Sequence, residues 1–531
     1  MKRALHSEKI SNYLFIFSII VVALFIFRSR PFMRIPYDIW HHLMIIVSVH
    51  DQGEAFTFMP GVKESGALWH YCWGYFFRLL TFNDVFIWAK IIHVLQSMFA
   101  FVCYFAFAYQ AQVLLFRDIP RPSLRLPALL ATLLWVSGTG TFSMVYQQAW
   151  IQWYSVSYQG FTMPLYWLGM SQLLLVAYGE LQRHELIKRS LLLLLFFLII
   201  LVVHPMESLY FAITVGIILL INLPKMVAYG KQHPIKTLIT VILVTSLSLI
   251  VLLAAQNLSL IRFPLFFTEP NIPLLKDIFY WGGRVVVQEG FNRGWAAFSE
   301  VAFFCLCCVP LLWAMVIFKR RKSMVSCAVL FFLTIHALVF FLIPRVFWMA
   351  GIASVVSDAY VVHRFNFICS AFVFLPALLL LFFENPLWRS LQVLLSCLSI
   401  AIICFFLSQA VFQGTFYRNV QSLWKSLELR DTDRVGMQFS KEDLKWLERI
   451  YRSSLPADAK RPLLFYVRGD VAPLFRTVFR QFVFADRRIM PSREEFLKTA
   501  KAGNYIPVEV DLPDDYPKDE ETFGRFYLEK H

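Results

Sequence analysis

The sequence predicts an α-helical polytopic membrane protein that carries a small α/β domain outside the membrane. Of its 531 residues, 58% are hydrophobic and only 16% are charged, whereas a soluble protein carries roughly 25% charged residues. The hydrophobic residues form long runs, and these give way to a polar tail after Phe412. We therefore predict a transmembrane domain at residues 1–412 and a soluble extracytoplasmic domain at residues 413–531.

Apolar runs place the predicted membrane spans. A transmembrane helix needs about 20 consecutive apolar residues, and by this measure about eleven spans are predicted, some of them short. The runs are 11–27, 85–109, 126–142, 161–179, 190–203, 208–223, 237–255, 296–318, 323–343, 368–383 and 390–412. Runs 190–203 and 208–223 are short, so a single re-entrant hairpin is an alternative for this pair.

Positive charge predicts the orientation of the spans. A net charge of +15 would suggest nucleic acid in a soluble protein, but here Lys and Arg cluster in alternate loops, as they do on the cytoplasmic side of membranes. We therefore expect no nucleic-acid partner, a cytoplasmic N-terminus and an extracytoplasmic C-terminal domain. The loops assigned to the cytoplasm include Arg117, Arg121, Arg125, Arg183, Lys188 and Arg189. Arg28, Arg30 and Arg34 oppose this assignment, and the alternation elsewhere outweighs them.

The polar tail alternates between strand and helix patterns. Strands are predicted at 463–467, 482–484 and 505–512, with helices at 471–481 and 492–502 between them. Ser492 and Glu495 form a capping box at the start of the second helix, and Gly503 marks its end. Such alternation predicts a small α/β domain. The tail has no cysteine and the chain has no retention signal, which favours a bacterial inner membrane.

The candidate catalytic residue is Asp38, which lies just beyond the first apolar run in the segment Tyr37-Asp38-Ile39-Trp40-His41-His42. Ionisable groups beside or inside a bilayer are costly, so their presence there favours a functional role. A carboxylate at this position can act as a general base on a hydroxyl group. Asp is also a favoured helix N-cap, and a cap of the helix starting at Ile39 is an alternative that is compatible with the catalytic role.

Further candidate binding residues are predicted on the same membrane face. Arg345, His363 and Arg364 offer positive charge for a phosphate, because the planar guanidinium suits phosphate oxygens. His42 follows Asp38 by one helical turn, and Glu207 lies beside Pro205 at the outer end of a short span. Arg345 and Arg364 could instead anchor helix ends at lipid head groups. No cofactor is assigned, although a divalent metal held by Asp38, His42 and Glu207 is left open.

These features together resemble the GT-C superfamily of membrane glycosyltransferases. The resemblance rests on the many spans, the early Asp38 in the first outer loop, the similarity of residues 37–42 to an Asp-x-Trp/Phe-x-His pattern, and the His204-Pro205 pair. It implies that Asp38 is the catalytic base and that the donor is a sugar linked to polyprenyl phosphate or diphosphate. The Trp-Trp-Asp signature of oligosaccharyltransferases is not found, which counts against transfer of whole oligosaccharides to asparagine.

The function expected from this resemblance is transfer of a hexosyl or pentosyl unit from a lipid-linked donor to an acceptor at the outer membrane face. The acceptor is a glycan, a lipid or a protein, and membrane lipid surrounds the chain. One alternative is a polysaccharide polymerase or ligase, which does not need Asp38. Another is a transporter or flippase of lipid-linked glycans, which would place ionisable groups near the middle of the membrane. The predicted spans are nearly free of Asp, Glu, Lys and Arg, which argues against ion-coupled transport.

Overall fold

The computed structural model describes several stretches of the chain: parts of 13–27, then 38–58, 68–81, 83–138, 155–232, 300–320, 323–342, 367–383, 448–456, 461–467, 472–484 and 492–510. The chain divides into two compact units. The first unit comprises Met1–Ser29 and Val94–Trp424, and the second comprises Arg30–His93 and Lys425–His531. The predicted spans at 237–255 and 390–412 lie outside the described residues, and the predicted division at residue 412 stays a prediction.

Most described residues before the tail are helical. The helices are α1 (Asp38–Gln52), α2 (Leu68–Leu80), α3 (Val85–Leu115), α4 (Arg125–Gly138), α5 (Gln159–Tyr178), α6 (Arg183–Val203), α7 (Pro205–Gln232), α8 (Glu300–Cys307), α9 (Val309–Arg320), α10 (Met324–Ala337) and α11 (Phe374–Phe383). Short 3-10 turns at Arg121–Leu124 and Ser370–Val373 precede α4 and α11, and a π turn at Leu338–Leu342 extends α10.

Among these helices, five stretches are long and apolar enough to cross a membrane, and they lie in α3, α5, α6, α7 and the α10 segment. This confirms a polytopic helical membrane protein, while the number of eleven spans stays a prediction. The re-entrant alternative for 190–203 and 208–223 is not supported, because α6 has 21 residues and α7 has 28. The apolar runs understate both helices, since charged residues such as Arg183 and Lys225 continue the helix beyond its apolar part.

The predicted span 296–318 is divided in the structure at Cys308, between α8 and α9. A continuous helix would need the N–H of residue 310 to donate to the Leu306 carbonyl, and Pro310 has no N–H. In the first turn of α9 that N–H is not needed, so the proline is tolerated there. The Cys308 N–H instead donates to the Cys305 carbonyl at 3.2 Å, and α9 resumes with Leu312 N to Cys308 O at 3.0 Å. Apolar composition alone could not predict this break.

The core of the first unit is rich in aromatic residues. The rings of Tyr104 and Trp135 stack at 4.6 Å, and Trp167 packs edge-on against Tyr104 at 4.8 Å. The indole N–H groups of Trp135 and Trp167 both donate to the Phe367 carbonyl, at 2.8 and 2.9 Å. Two helices, α4 and α5, are therefore joined to the start of the segment that leads into α11.

A buried polar network crosses the first unit around His336. The His336 Nε2 atom lies 2.7 Å from the Tyr166 hydroxyl, and Nδ1 lies 3.1 Å from Ser370 Oγ. Ser370 donates to the Leu333 carbonyl and Tyr166 also contacts Thr214. Buried polar groups must be hydrogen-bonded to be tolerated, and this network meets that need while connecting α5, α7 and α10.

The tail residues of the second unit form a three-stranded parallel sheet. Its strands are β1 (Leu463–Tyr466), β2 (Phe482–Val483) and β3 (Ile506–Glu509), in the order β2-β1-β3. Helices α12 (Ala472–Thr477) and α13 (Arg493–Ala502) lie between successive strands. Ser492 caps α13 by accepting from the Glu495 N–H at 3.2 Å. The elements fall within the ranges that the sequence predicts, and the separate extracytoplasmic domain stays a prediction.

The first-loop helices pack with this sheet segment inside the second unit. Helices α1 and α2 approach so closely at Gly74 that a Cβ atom there would lie 2.5 Å from Val49 Cγ1. Helix α12 packs on α1 through Arg476, whose guanidinium donates to Ser48 Oγ at 2.9 Å and to the Thr57 carbonyl at 3.2 Å. Burial lowers the pKa of Arg476 to about 10, with Asp51 opposing and Arg480 adding to the effect.

Candidate functional site

Asp38, the candidate base, is the first residue of α1 in the structure. This start is one residue earlier than the predicted start at Ile39, a difference within the usual spread of helix boundaries. His42 follows four residues later, and residues at that spacing share one face of a helix. The structure therefore places the two sequence-predicted residues one turn apart on the same face of α1, within the second unit.

The second candidate, His42, is buried against α2. Only 3% of the residue is exposed, and its Nδ1 atom lies 2.9 Å from Nε2 of His70, with the two rings stacked at 5.1 Å. Burial, followed by the nearby charge of His41, lowers the pKa of His70 well below its ordinary value. A neutral His70 can form one N–H···N hydrogen bond with His42. This bond fixes the orientation of the His42 ring.

The third candidate, Glu207, lies in the first turn of α7 in the first unit. Helix α6 ends at Val203 because His204 precedes a proline and adopts an extended conformation, with φ −155° and ψ 105°. Pro205 is then well suited to start α7, since its missing N–H is not needed there. An acidic residue in a first turn is also favoured by the helix dipole. The His-Pro break thus determines where Glu207 lies.

Glu207 has one engaged oxygen and one unsatisfied oxygen. Its side chain is 0% exposed, and Oε2 pairs with Nδ1 of His204. The other oxygen, Oε1, is buried and has no hydrogen-bond partner among the residues that the structure describes. A buried carboxylate oxygen without a donor is costly. The geometry therefore offers an acceptor position for an N–H or O–H group from outside the described chain.

His204 is held from both sides. Its ring stacks on Tyr158 with centroids 4.3 Å apart and 24° between the planes, while Nδ1 faces Glu207. The segment before α5 that carries Tyr158 is held by Gln96, whose Nε2 donates to the Ser155 carbonyl at 2.7 Å and to the Ser157 carbonyl at 3.2 Å. A carboxylate on Nδ1 favours the tautomer with its proton there, which makes Nε2 the basic nitrogen.

The remaining candidates, Arg345, His363 and Arg364, lie outside the described residues, so their role as phosphate ligands stays a prediction. Phe367, three residues beyond Arg364, is the first described residue that follows them. Within the described parts of the chain, no group of three His, Cys, Asp or Glu side chains is arranged to hold a metal. The metal alternative for Asp38, His42 and Glu207 likewise stays a prediction, because the side chain of Asp38 is outside the described atoms.

Sequence reasoning missed the partners of the candidate residues. His70 and Tyr158 contact His42 and His204 across 28 and 46 residues, respectively. A helical register signals neighbours three or four residues apart, and it carries no information on contacts between different helices. The weak signal that was available is the presence of aromatic residues around His70, at Trp69 and Tyr71 in α2, and of Tyr158 itself just before α5.

Helical spans, a first-loop helix that begins at Asp38 and a C-terminal parallel sheet define a polytopic helical membrane protein. Two solved structures with this fold are those of ArnT from Cupriavidus metallidurans, in the apo state and bound to undecaprenyl phosphate. The apo structure has a TM-score of 0.53 at 11% identity, covering 97% of this chain and 95% of that one. The bound structure has a TM-score of 0.51 at 11% identity, covering 97% and 94%.

A third similar structure is the apo form of the Archaeoglobus fulgidus oligosaccharyltransferase, with a TM-score of 0.43 at 14% identity, covering 89% of this chain and 64% of that one. No protein-family model and no curated protein matches the sequence. The likeness to ArnT extends over nearly the whole of both chains, and it confirms the predicted resemblance to GT-C proteins as a resemblance of fold.

Proposed function

We propose that the chain is a membrane glycosyltransferase that moves a sugar from a polyprenyl-phosphate or diphosphate donor to an acceptor at the outer membrane face. The observation that carries the proposal is the fold likeness to ArnT over 97% of this chain, with one of the two ArnT structures bound to undecaprenyl phosphate. Support from this chain comes from Asp38 at the start of α1 and from the unsatisfied Glu207 oxygen.

In the proposed reaction, the Asp38 carboxylate takes the proton from the acceptor hydroxyl as that oxygen bonds to the anomeric carbon of the sugar. The bond from this carbon to the phosphate oxygen breaks, and its electron pair leaves with the polyprenyl phosphate. Direct displacement of this kind inverts the anomeric centre. Arg345, His363 and Arg364 are proposed to hold the leaving phosphate, since charge-assisted bonds to phosphate are the strong ones.

Glu207 and His42 have supporting roles in this proposal. A hydroxyl of the substrate would donate to Glu207 Oε1, the carboxylate oxygen that has no partner among the described residues. His204 keeps the Glu207 side chain in place through Nδ1. His42, held by His70, is proposed to contact the substrate beside Asp38. Whether a divalent metal also takes part is a separate proposal, and no step above depends on it.

The first test replaces Asp38 with Asn in purified protein in nanodiscs. Release of polyprenyl phosphate is measured from a mixed pool of lipid-linked sugars supplied with candidate acceptors. Loss of a general base typically costs about 10²–10⁴-fold in rate, and we expect a loss in this range with donor binding retained. Asn keeps the capping ability of Asp, so the helix should be preserved.

Asp84→Asn is the matched control for this test. Asp84 is an exposed carboxylate in the same unit, and it caps α3 by accepting from the N–H groups of Phe86 and Ile87, at 2.8 and 3.3 Å. This variant should keep full turnover. Equal turnover of wild type and Asp38→Asn would remove Asp38 as the base and favour a polymerase or ligase. Movement of the lipid-linked sugar across the membrane without bond formation would instead favour a flippase.

A further inference from the structure

A cavity lies in the first unit, away from Glu207. Its volume is about 520 Å³, and it is bounded by the C-terminal ends of α3 and α5, the 3-10 turn at Arg121–Leu124 and the first two turns of α6. Arg189 lines this cavity, whereas the Glu207 site begins after Val203, 14 residues further along α6. At 1.5 Å per residue the two positions are separated by roughly 20 Å along the helix.

Three arginines line this cavity, and two of them are already engaged. Arg117 pairs with Glu180 and donates to the Tyr178 carbonyl at 2.7 Å, which joins the end of α3 to the end of α5. Arg189 donates to Gln172 Oε1 at 2.8 Å and lies 3.6 Å from Glu185. The side chains of Arg117 and Arg189 are therefore held in place in the cavity lining, and carboxylates partly balance their charges.

Arg121 differs from the other two arginines. It is exposed in the mouth of the cavity, and within the described parts of the chain no hydrogen bond or ion pair involves its guanidinium. Its backbone is fixed nonetheless, because the Tyr109 hydroxyl donates to the Arg121 carbonyl at 3.4 Å and the 3-10 turn holds the residue. An arginine whose backbone is held and whose guanidinium has no partner among the described residues is suited to bind an anion in the cavity that it lines.

The remaining lining of the cavity is mostly apolar. Val113, Leu114 and Phe116 contribute from the end of α3, Leu124 from the 3-10 turn and Leu175 from α5. A site for a free inorganic anion would need little apolar surface, whereas the head of an amphiphile brings its own apolar chain beside the charge. The volume also falls within the usual range for small-molecule sites, about 300–1,000 Å³.

We propose that this cavity binds a phosphate group, with Arg121 as its principal contact, and that the natural source of the phosphate is the head group of an anionic lipid. Its loops are those that the positive charge assigns to the cytoplasm, opposite the membrane face proposed for sugar transfer. Basic pockets between transmembrane helices on that side commonly receive anionic head groups. The site would make the protein responsive to the lipid composition of the inner leaflet.

The test uses the full chain in nanodiscs of neutral phosphatidylcholine. Binding of three probes is measured by native mass spectrometry: dioctanoyl phosphatidic acid, dioctanoylglycerol and inorganic phosphate. We expect phosphatidic acid to bind wild type, dioctanoylglycerol to bind poorly, and Arg121→Gln to bind phosphatidic acid about tenfold more weakly, as for loss of one charge-assisted bond. Arg121→Lys should retain part of the affinity, because it keeps the charge and loses only the planar fork.

Arg183→Gln is the matched control. Arg183 is an exposed arginine at the start of α6, in the same loop region but outside the cavity lining, so its loss should leave binding unchanged. Equal weakening in Arg183→Gln and Arg121→Gln would mean general surface attraction and would overturn the proposal, as would binding that ignores both variants. Arg121-dependent binding of inorganic phosphate without a gain from the lipid chains would assign the site to free phosphate and overturn the lipid source.

Discussion

At the scale of single residues, the most informative feature is the contrast between two buried ionisable side chains, one basic and one acidic. Arg476 is fully buried, but its guanidinium reaches Ser48 Oγ, the Thr57 carbonyl and the rings of Phe56 and Phe482. Glu207 is equally buried, yet Oε1 has no donor among the described residues. A satisfied buried charge supports the fold, whereas an unsatisfied one is more readily explained by a ligand.

This contrast predicts opposite behaviour of activity and stability in Glu207→Gln. The variant keeps the shape of the side chain and replaces a buried carboxyl group, one oxygen of which has no donor among the described residues. We expect kcat/KM for sugar transfer to fall about tenfold or more, as for loss of a hydrogen bond to a charged group, while the thermal midpoint in detergent stays unchanged or rises.

Glu185→Gln serves as the control for that prediction, since Glu185 is a partly exposed carboxylate on α6 whose described partners are His184 and Arg189. It should change neither quantity. A parallel fall of stability and activity in Glu207→Gln would show that Glu207 acts as a structural support of the α6–α7 junction and not in substrate binding.

At the scale of elements, close helix packing depends on small residues. A Cβ atom at Gly74 would lie 2.5 Å from Cγ1 and 2.6 Å from Cβ of Val49, and Val49 is fully buried on α1. Since Cβ moves only with the backbone, α1 would have to shift away from α2. By contrast, a Cβ atom at Gly216, within α7, would meet nothing within 4 Å.

Gly74→Ala should therefore destabilise the protein, and Gly216→Ala should not. Overpacking of a buried contact costs about 1–3 kcal/mol, whereas Ala in an uncrowded helix interior is favoured over Gly by about 1 kcal/mol. The measurement is the temperature at which half of the protein leaves the monodisperse peak in size-exclusion chromatography. Similar midpoints for the two variants would contradict this prediction, because they would show that α1 can shift away from α2 at little cost.

The sequence predicted the elements better than their contacts. Apolar runs located α3, α5 and the α10 segment closely, because lipid imposes a length and a composition on each span. They understated α6 and α7, whose charged ends remain helical, and they missed the break at Cys308. The pairs His42–His70 and Arg476–Ser48 could not be predicted, since contacts between distant segments leave no periodic pattern in a single sequence.

The same holds for the positions of the candidate residues along the chain, while their roles stay predictions. The position of Asp38 at the start of a helix and the His-Pro break before Glu207 followed from local rules on caps and prolines. The engagement of Glu207 Oε2 by His204, and the stacking of His204 on Tyr158, depend on how α5, α6 and α7 pack. That packing is a property of the assembled helices, and only the structure reveals it.

At the scale of the whole molecule, the orientation in the membrane is open to a direct test. Lys501, at the end of α13, and Lys188, in the first turns of α6, are both exposed. The positive charge of the loops predicts that Lys188 lies in the cytoplasm and the tail outside. Replacing each lysine with cysteine and adding a membrane-impermeant maleimide to intact cells should label Lys501→Cys, and should label Lys188→Cys only after permeabilisation.

The unmodified chain provides the background for this experiment, because Cys72 and Cys307 are exposed native cysteines. Labelling of both introduced cysteines before permeabilisation would place both on the outside and contradict the prediction, and labelling of Lys188→Cys alone would reverse the predicted orientation. Such a result would also move the proposed phosphate cavity and the proposed transfer site to the opposite membrane faces.

The second unit combines the early and late parts of the chain, and this has a consequence for the order of synthesis. Arg476 reaches Thr57 across 419 residues and Ser48 across 428. A ribosome adds roughly 5–20 residues per second, so α1 and α2 wait for tens of seconds before their partner emerges. During that interval the surface around Phe56 is uncovered, so a chaperone or a protease can act on it. A chain truncated before α12 would keep this surface exposed, which gives the cell a means to recognise and remove unfinished copies.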